Sequence, residues 1–144
     1  QAVSQLAACT DLPLWVKLPL DKVSVLGEIA VKHGAVGLVV GQSPTGTLPA
    51  QSPPLHPLYG AEANAAPLVR GVLYGPAVYP LMLTALIELA QRQLPAALIA
   101  CGGIHTASQA RQLLDSGAAA LQIDSAAWIE PGLPQRLQRA LANE

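Results

Sequence analysis

This sequence has no phenylalanine, and only 12% of its 144 residues are charged. Its eight Lys and Arg residues are balanced by nine Asp and Glu residues and form no cluster, which argues against nucleic acid or an anionic membrane as a partner. No apolar run reaches the roughly 18 to 20 residues that a membrane-spanning helix requires. The N-terminal residues also lack the basic start of a signal peptide. These absences predict a soluble chain without an integral membrane segment.

Cysteine is scarce as well. Cys9 and Cys101 have neither the spacing of a metal site nor a disulfide framework, and this usage fits a reducing cytoplasm. We therefore expect a cytoplasmic protein without a bound metal, in which both thiols pack among apolar side chains. Apolar residues make up 51% of the chain, a composition typical of parallel strands that are covered on both faces.

The pattern of a strand followed by a helix occurs four times. The predicted strands are "LPLWVKLPL" (12–20), "AVGLVVGQS" (35–43), "AALIACGG" (96–103) and "AALQIDSA" (119–126), and the predicted helices cover 21–34, 79–93, 106–117 and 133–144. These segments show the apolar runs of buried strands and the spacing of amphipathic helices. A stretch rich in proline, 47–70, separates the second strand from its helix and predicts a long irregular loop.

Four such units with right-handed crossovers form a parallel sheet with helices packed on it. A complete eight-stranded barrel takes about 250 residues, so residues 1–144 are predicted to be a single α/β domain that forms about half of a TIM (β/α)8 barrel. Periodicity leaves a small doubly wound sheet open as an alternative. A half barrel exposes two sheet edges and an apolar face, which favours pairing with a second copy or with a complementing N-terminal half.

Two adjacent glycines, Gly102 and Gly103, connect the third strand to its helix. Thr106 and Gln109 have the spacing of a capping box, and Gly117 is placed to end that helix. Backbone N–H groups at such a turn approach a ligand without a Cβ in the way, and the following helix has a partly positive N-terminus. The turn is therefore a candidate phosphate site, although an ordinary tight turn would have the same sequence.

Further polar residues are predicted at the carboxyl ends of strands, where a barrel binds its ligand. Lys17 is a lone charge in an apolar strand, so it needs an anionic or hydrogen-bonding partner unless its side chain reaches out to solvent. Gln42 and Ser43 follow the second strand and are able to hydrogen-bond a planar heterocycle. Neither signal is specific alone.

The order of these motifs from Leu12 to Pro131, above all "YGPAVYP" (74–80) and "CGGIHTASQARQLLDSGAAALQIDSA" (101–126), resembles the C-terminal half of the dihydroorotate dehydrogenase family. These are FMN-dependent barrel enzymes of pyrimidine synthesis, and dihydropyrimidine dehydrogenases are their relatives. The resemblance implies an oxidoreductase that transfers hydride from a reduced pyrimidine to FMN.

The resemblance also implies roles for individual residues. Lys17 matches the catalytic lysine that contacts the flavin and stabilises its negative charge on reduction. Gln42 and Ser43 stand where the family has residues that contact the substrate and the flavin respectively. Gly71 matches a glycine that lies close to the flavin. Gly102 and Gly103 match the pair whose backbone binds the phosphate of FMN. Ser125 stands where a Thr or Ser completes that site, and Asp124 is the cofactor-site residue directly before it.

Four residues depart from the family pattern, namely Gln42, Val72, Tyr74 and Asp124, and each adds bulk. Asp124 also adds a negative charge beside a dianionic phosphate, which weakens binding unless its side chain turns away. The resemblance places the proton-abstracting residue in the N-terminal half, so no base is assigned here and the chain alone is expected to be inactive. Two alternatives are a degenerate half barrel that serves as a structural or interaction domain without flavin, and a different phosphate-binding barrel enzyme.

Overall fold

A computed structural model describes residues 1–49 and 68–143 and shows an alternation of strands and helices. The helices are α1 (Ala2–Cys9), α2 (Val23–Lys32), α3 (Tyr79–Ala90), α4 (Ala107–Asp115), α5 (Ser125–Ile129) and α6 (Leu133–Ala142). The strands are β1 (Leu14–Pro19), β2 (Ala35–Gln42), β3 (Thr45–Pro49), β4 (Leu68–Val72), β5 (Ala97–Cys101) and β6 (Ala120–Gln122). Single 3-10 turns, Leu20–Lys22 and Pro76–Val78, precede α2 and α3.

Four strands form one parallel sheet in the order β1-β2-β5-β6. The central strand β2 is buried from Gly37 to Gly41, as its unbroken apolar run predicts. Each neighbouring pair is joined by a helical crossover, which a parallel pair requires. All carboxyl ends of these strands therefore lie at one edge of the sheet.

The hydrophobic core lies on one face of this sheet, under α2, α3, α4 and α6. The strands contribute alternate residues to it and the helices contribute one apolar stripe each. Its buried members include Leu18, Leu38, Val40, Met82, Leu86, Leu89, Ile104, Leu113, Leu133 and Leu137. A doubly wound sheet has helices on both faces, whereas here these helices share one face and one core cluster. The arrangement is that of a partial (β/α) barrel.

The opposite face of the sheet corresponds to the inside of a barrel, and it is exposed along β1 and β6 but buried along β2 and most of β5. Residues in register across a sheet share a face, and Lys17, Val39, Ile99 and Ala120 are such a row. Val39 and Ile99 belong to a small cluster of their own on this face, while Trp15 is 60% exposed. A large aromatic ring is thus left open to solvent where a closed barrel would pack its interior.

The proline-rich stretch 47–70 was expected to be irregular, but both of its ends are strands. β3 and β4 pair antiparallel, with Thr45 opposite Val72 and Pro49 opposite Leu68. Threonine, valine and leucine favour extended backbone here, and Pro49 is tolerated because it stands at the end of a two-stranded ribbon. The remainder of the predicted loop, 50–67, lies outside the described residues.

Other local expectations are settled by the structure. Thr106 Oγ1 accepts from the Gln109 N–H at 3.2 Å and Gln109 Oε1 accepts from the Thr106 N–H at 3.1 Å, so the capping box is confirmed. The last strand is shorter than predicted, because Ser125 begins α5. Cys101 is buried as expected, but Cys9 is exposed. In the part of the chain described, no helix combines the length and apolar character needed to cross a membrane.

Candidate functional site

A small cleft opens at the carboxyl ends of β2, β5 and β6. It brings together residues that are far apart in sequence but adjacent at this edge of the sheet. Its lining consists of Gly41, Ser43, Tyr74, Gly75, Val78, Cys101, Gly102, Gly103, Asp124 and Ser125. Five of the residues predicted to bind a flavin phosphate or ring are among them, so the cleft is the candidate site.

The Gly-Gly turn has a backbone that only glycine adopts without strain. Gly102 has φ +124° and Gly103 has φ +69°, and a Cβ on Gly103 would lie 2.5 Å from the backbone nitrogen of Tyr79. Within residues 1–49 and 68–143, the N–H groups of Gly103 and Ile104 have no hydrogen-bond acceptor. The turn therefore presents two free donors beside the cleft, as an anion site requires.

The following helix, α4, offers less to a ligand than its position suggests. Its cap is internally satisfied, because Gln109 Oε1 accepts from the N–H groups of both His105 (2.9 Å) and Thr106 (3.1 Å). The Gln109 N–H is in turn held by Thr106 Oγ1. The N–H groups of His105, Thr106 and Gln109 are therefore occupied, and the free donors nearest the glycine turn are those of Gly103 and Ile104.

The second side of the cleft is the start of α5. Its first N–H groups, those of Ser125 and Ala126, have no acceptor inside the helix, and the hydroxyl of Ser125 forms no hydrogen bond in the described part of the chain. Asp124 precedes α5 without capping it, and it lines the same cleft. The donors fit a phosphate group, and the Asp124 carboxylate opposes one.

Lys17 stands at the margin of this cleft. Its Nζ donates to the Sγ of Cys101 at 3.4 Å, and Cys101 lines the cleft. The side chain is exposed because the inner face of β1 is uncovered. Lys17 therefore has a hydrogen-bonding partner, as predicted, and that partner is a thiol. Its side chain also reaches solvent, as the alternative interpretation expected.

Gln42 and Gly71 are not brought to the small cleft. Gln42 lines a larger cleft of about 690 Å³ between the end of β2 and α3, and Ser43 borders both clefts. Gly71 lies in β4 opposite Gly46, and a Cβ on it would meet nothing within 4 Å. The approach expected at Gly71 is to a flavin, so it stays a prediction.

Two contributors to the cleft were missed from the sequence. A Cβ on Gly41 (φ +149°) would overlap the carbonyl oxygen of Cys101, so β2 and β5 approach closely there only because position 41 is glycine. Tyr79 backs the Gly-Gly turn and donates its hydroxyl to Gln112 Oε1 at 2.7 Å. Desolvation raises the pKa of Tyr79, which keeps this donor protonated. The only sequence signal for this role of Gly41 is that the apolar run of β2 ends in "VVG" (39–41).

An ion pair lies behind the cleft, between α5 and α6. Arg136 Nε donates to Glu130 Oε1 and Arg136 Nη2 donates to Glu130 Oε2, both at 2.9 Å. This hydrogen bonding lowers the pKa of Glu130 and raises the pKa of Arg136. No His, Cys, Asp and Glu cluster suited to a metal ion occurs in the residues that the structure covers.

Comparison with known proteins gives this geometry its context. The family model for dihydroorotate dehydrogenase matches residues 1–144. The chain belongs to the dihydroorotate dehydrogenase family. A dihydroorotate dehydrogenase B (NAD(+)) catalytic subunit from Pelobacter propionicus is 30% identical over an aligned length of 146 residues, and the match covers 98% of this chain and 44% of that protein. A dihydroorotate dehydrogenase A (fumarate) from Limosilactobacillus reuteri is 33% identical over an aligned length of 127 residues, and the match covers 86% of this chain and 38% of that protein.

A solved structure supports the fold of this dihydroorotate dehydrogenase family member. Dihydroorotate dehydrogenase from Eimeria tenella, in complex with ferulenol, superposes with a TM-score of 0.62 at 20% identity, and the match covers 91% of this chain and 34% of that one. The chain thus spans less than half the length of the curated relatives it matches.

Proposed function

We propose that this chain is the FMN-binding part of a dihydroorotate dehydrogenase-like oxidoreductase, which converts dihydroorotate to orotate in the cytoplasm. The observation that carries the proposal is the small cleft, where the glycine turn with the free N–H groups of Gly103 and Ile104 lies beside Ser125. Family membership favours a flavin over the ligand of a different phosphate-binding barrel. The proposal assigns the FMN phosphate to the Gly-Gly turn and to the start of α5.

Each residue then has a defined task. Gly103 and Ser125 hold the phosphate through a backbone N–H group and a hydroxyl, since these donors have no acceptor in the described part of the chain, and Gly102 gives the turn the shape that this requires. Lys17 and Ser43 approach the ring system from the open face of the sheet. FMN supplies the hydride chemistry when it is bound. The Lys17 ammonium stabilises negative charge at the ring, and the buried thiol of Cys101 orients that ammonium.

The proposal assigns no catalytic base to this chain. Proton abstraction from a reduced pyrimidine needs a base beside the substrate, and we assign that role to no side chain of residues 1–49 and 68–143. We therefore infer that the chain is inactive alone and that a pyrimidine substrate binds only when a complementing half closes the barrel. Gln42 remains the candidate substrate contact, although closure would have to turn it from the larger cleft.

Titration of the purified chain with FMN tests the flavin assignment. We expect saturable binding, followed by flavin fluorescence and absorbance. Lys17→Met should weaken binding by about threefold, the scale of one exposed charge contact, and should alter the flavin absorbance spectrum. Lys32→Met on α2 removes an equally positive and exposed side chain away from the cleft and should change neither.

Binding with an unaltered spectrum in Lys17→Met would remove Lys17 from the flavin site. Absence of binding at high micromolar FMN would count against a flavin site that is complete within this chain. It would favour the second candidate function, a half barrel that serves as a structural or interaction domain. The specific observation behind that candidate is Asp124, whose carboxylate lines the cleft in place of a neutral small residue.

The open sheet edges of β1 and β6 predict association with a second copy or with a complementing half. Trp15 is 60% exposed on the inner face, and exposed apolar area of this kind favours assembly. Sedimentation should give a mass above 14.9 kDa that rises with concentration, together with a blue shift of tryptophan emission. A monomer at every concentration, with unshifted emission, would refute self-association.

A further inference from the structure

The two segments that form the proposed phosphate site are joined by one side chain outside it. Arg136 Nη2 donates to the backbone carbonyl of His105 at 3.5 Å, in addition to its two contacts with Glu130. His105 stands two residues after Gly103, and Glu130 directly follows α5. The guanidinium thus contacts the loop that contains the glycine turn and the end of the helix that begins at Ser125.

Glu130 is itself attached to the backbone of α5. Its N–H donates to the carbonyl of Ala126 at 2.9 Å, and its own carbonyl accepts from the Leu133 N–H at 2.9 Å. Ala126 borders the groove between the glycine turn and α5. A displacement of the Glu130 carboxylate is therefore transmitted to the first turn of α5 through a short, hydrogen-bonded path.

We propose that Arg136 is a positioning residue for the phosphate site, which ties the Gly102–Gly103 turn to α5 so that their donors converge on one anion. The ligand in this proposal rests on the proposed function. The tie, meaning the hydrogen bonds of Arg136 to Glu130 and His105, exists whether or not FMN is that ligand. Arg136 does not line the cleft, so it acts through Glu130 and His105. A planar guanidinium suits this task because it holds a carboxylate with two donors in a fixed geometry.

Because the Arg136–Glu130 pair is exposed, its effect on the phosphate site can be measured separately from its effect on folding stability. The side chains of Arg136 and Glu130 are 51% and 50% exposed, and exposed ion pairs contribute little to folding. A variant at Arg136 should consequently fold as the parent does. Arg92 and Glu28 form a pair of similar exposure, with 3.0 Å between Nη1 and Oε1, that joins the turn after α3 to α2. Arg92→Gln is therefore the matched control.

Binding measurements with two flavins test the role of Arg136. In Arg136→Gln, the dissociation constant for FMN should rise about fivefold, the scale of couplings carried by residues that do not contact the ligand. The dissociation constant for riboflavin, which lacks the phosphate, should not change. Glu130→Gln should have the same effect, and the double variant no larger one, because both changes break one unit. Arg92→Gln should leave both constants unchanged.

Amide NMR of the chain without flavin tests the tie independently of the proposed function. We expect Arg136→Gln to shift the amide resonances of Gly103, Ile104, Ser125 and Ala126 together and to increase their nanosecond mobility. Changes confined to α6 and Glu130 would overturn the proposal, as would equal losses of FMN and riboflavin affinity. Failure of the proposed function would appear differently, as no FMN binding by the parent chain, and the amide result would still decide whether the tie exists.

Discussion

Replacing Gly103 by alanine is expected to lower the free energy of unfolding by about 3 kcal/mol and to abolish measurable FMN binding. The backbone at Gly103 has φ +69°, a conformation that costs an L-residue roughly 1–2 kcal/mol. The added Cβ would also lie 2.5 Å from the backbone nitrogen of Tyr79. Tyr79 begins α3 and cannot yield as a flexible side chain does, so this overlap adds a further cost of about 1–3 kcal/mol.

Binding is lost for a related reason. Relief of the overlap requires the turn to move away from α3, and that movement displaces the N–H groups of Gly103 and Ile104 from the cleft. Urea unfolding measures the first effect and FMN titration measures the second. An alanine variant that retained the parent's FMN affinity would show that this turn does not hold the phosphate.

Two other glycines serve as controls for Gly103. Gly75 has φ +90° and ψ −166° but open space around its Cβ position, so Gly75→Ala should cost about 2 kcal/mol from backbone strain alone. Gly132 has φ −80° and equally open surroundings, so Gly132→Ala should stay within about 0.5 kcal/mol of the parent. Equal destabilisation of the Gly103 and Gly75 variants would mean that the contact with Tyr79 is not the cause.

The main fold was predictable because its signals are local and repeated. The apolar runs of β1 and β5 are each followed by a helix with its own start and stop, such as Thr106 with Gln109 and then Gly117 (φ +105°). Parallel pairing follows from this alternation, since a helix between two strands returns the chain to the same edge. The sequence did not decide between a half barrel and a doubly wound sheet, because the side on which helices pack depends on contacts between elements.

Features that depend on pairing between distant segments were less accessible. In the β3–β4 ribbon, Gly46 pairs with Gly71, which lies 25 positions later in the sequence. The high proline content of this stretch predicted a loop, so the pairing was not expected. The exposure of Lys17 and Trp15 likewise depends on what covers the inner face, and no pattern within β1 reports that. Burial inferred from one strand's composition therefore overestimated how enclosed this face is.

The same distinction applies to the candidate site. Gly102, Gly103 and Ser125 were predictable, because each ends an apolar run and the carboxyl ends of parallel strands meet at one edge. The contributions of Gly41 and Tyr79 were not, because each is defined by a contact with a residue more than 20 positions away, namely Cys101 and Gly103. The tie through Arg136 is equally invisible in the sequence, where it reads as one polar residue of an amphipathic helix.

Asp124→Asn is expected to increase affinity for FMN by about tenfold. The substitution keeps the size of the side chain and removes the one carboxylate that lines the cleft. Two like charges about 4 Å apart repel by roughly 4 kcal/mol at an effective dielectric constant near 20. Asp124 is exposed, so solvent and salt reduce this repulsion, and about 1.4 kcal/mol, or tenfold, is the expected remainder.

Three comparisons separate electrostatic repulsion from a change of shape. Riboflavin, which carries no phosphate, should bind the parent and the Asp124→Asn variant equally. Added salt should narrow the difference in FMN affinity between them, since it screens the carboxylate. Asp115→Asn at the end of α4 removes an exposed charge that does not line the cleft and should have no effect.

The direction of the Asp124 result discriminates between the two candidate functions. If the chain retains a flavin site weakened by one carboxylate, the donors of Gly103, Ile104 and Ser125 are still in place, and removal of the charge restores their affinity. If the cleft has lost that role, its donors no longer converge on an anion, and Asp124→Asn binds FMN no better than the parent. An unchanged affinity, with Asp115→Asn also unchanged, would therefore favour the structural or interaction domain over the oxidoreductase.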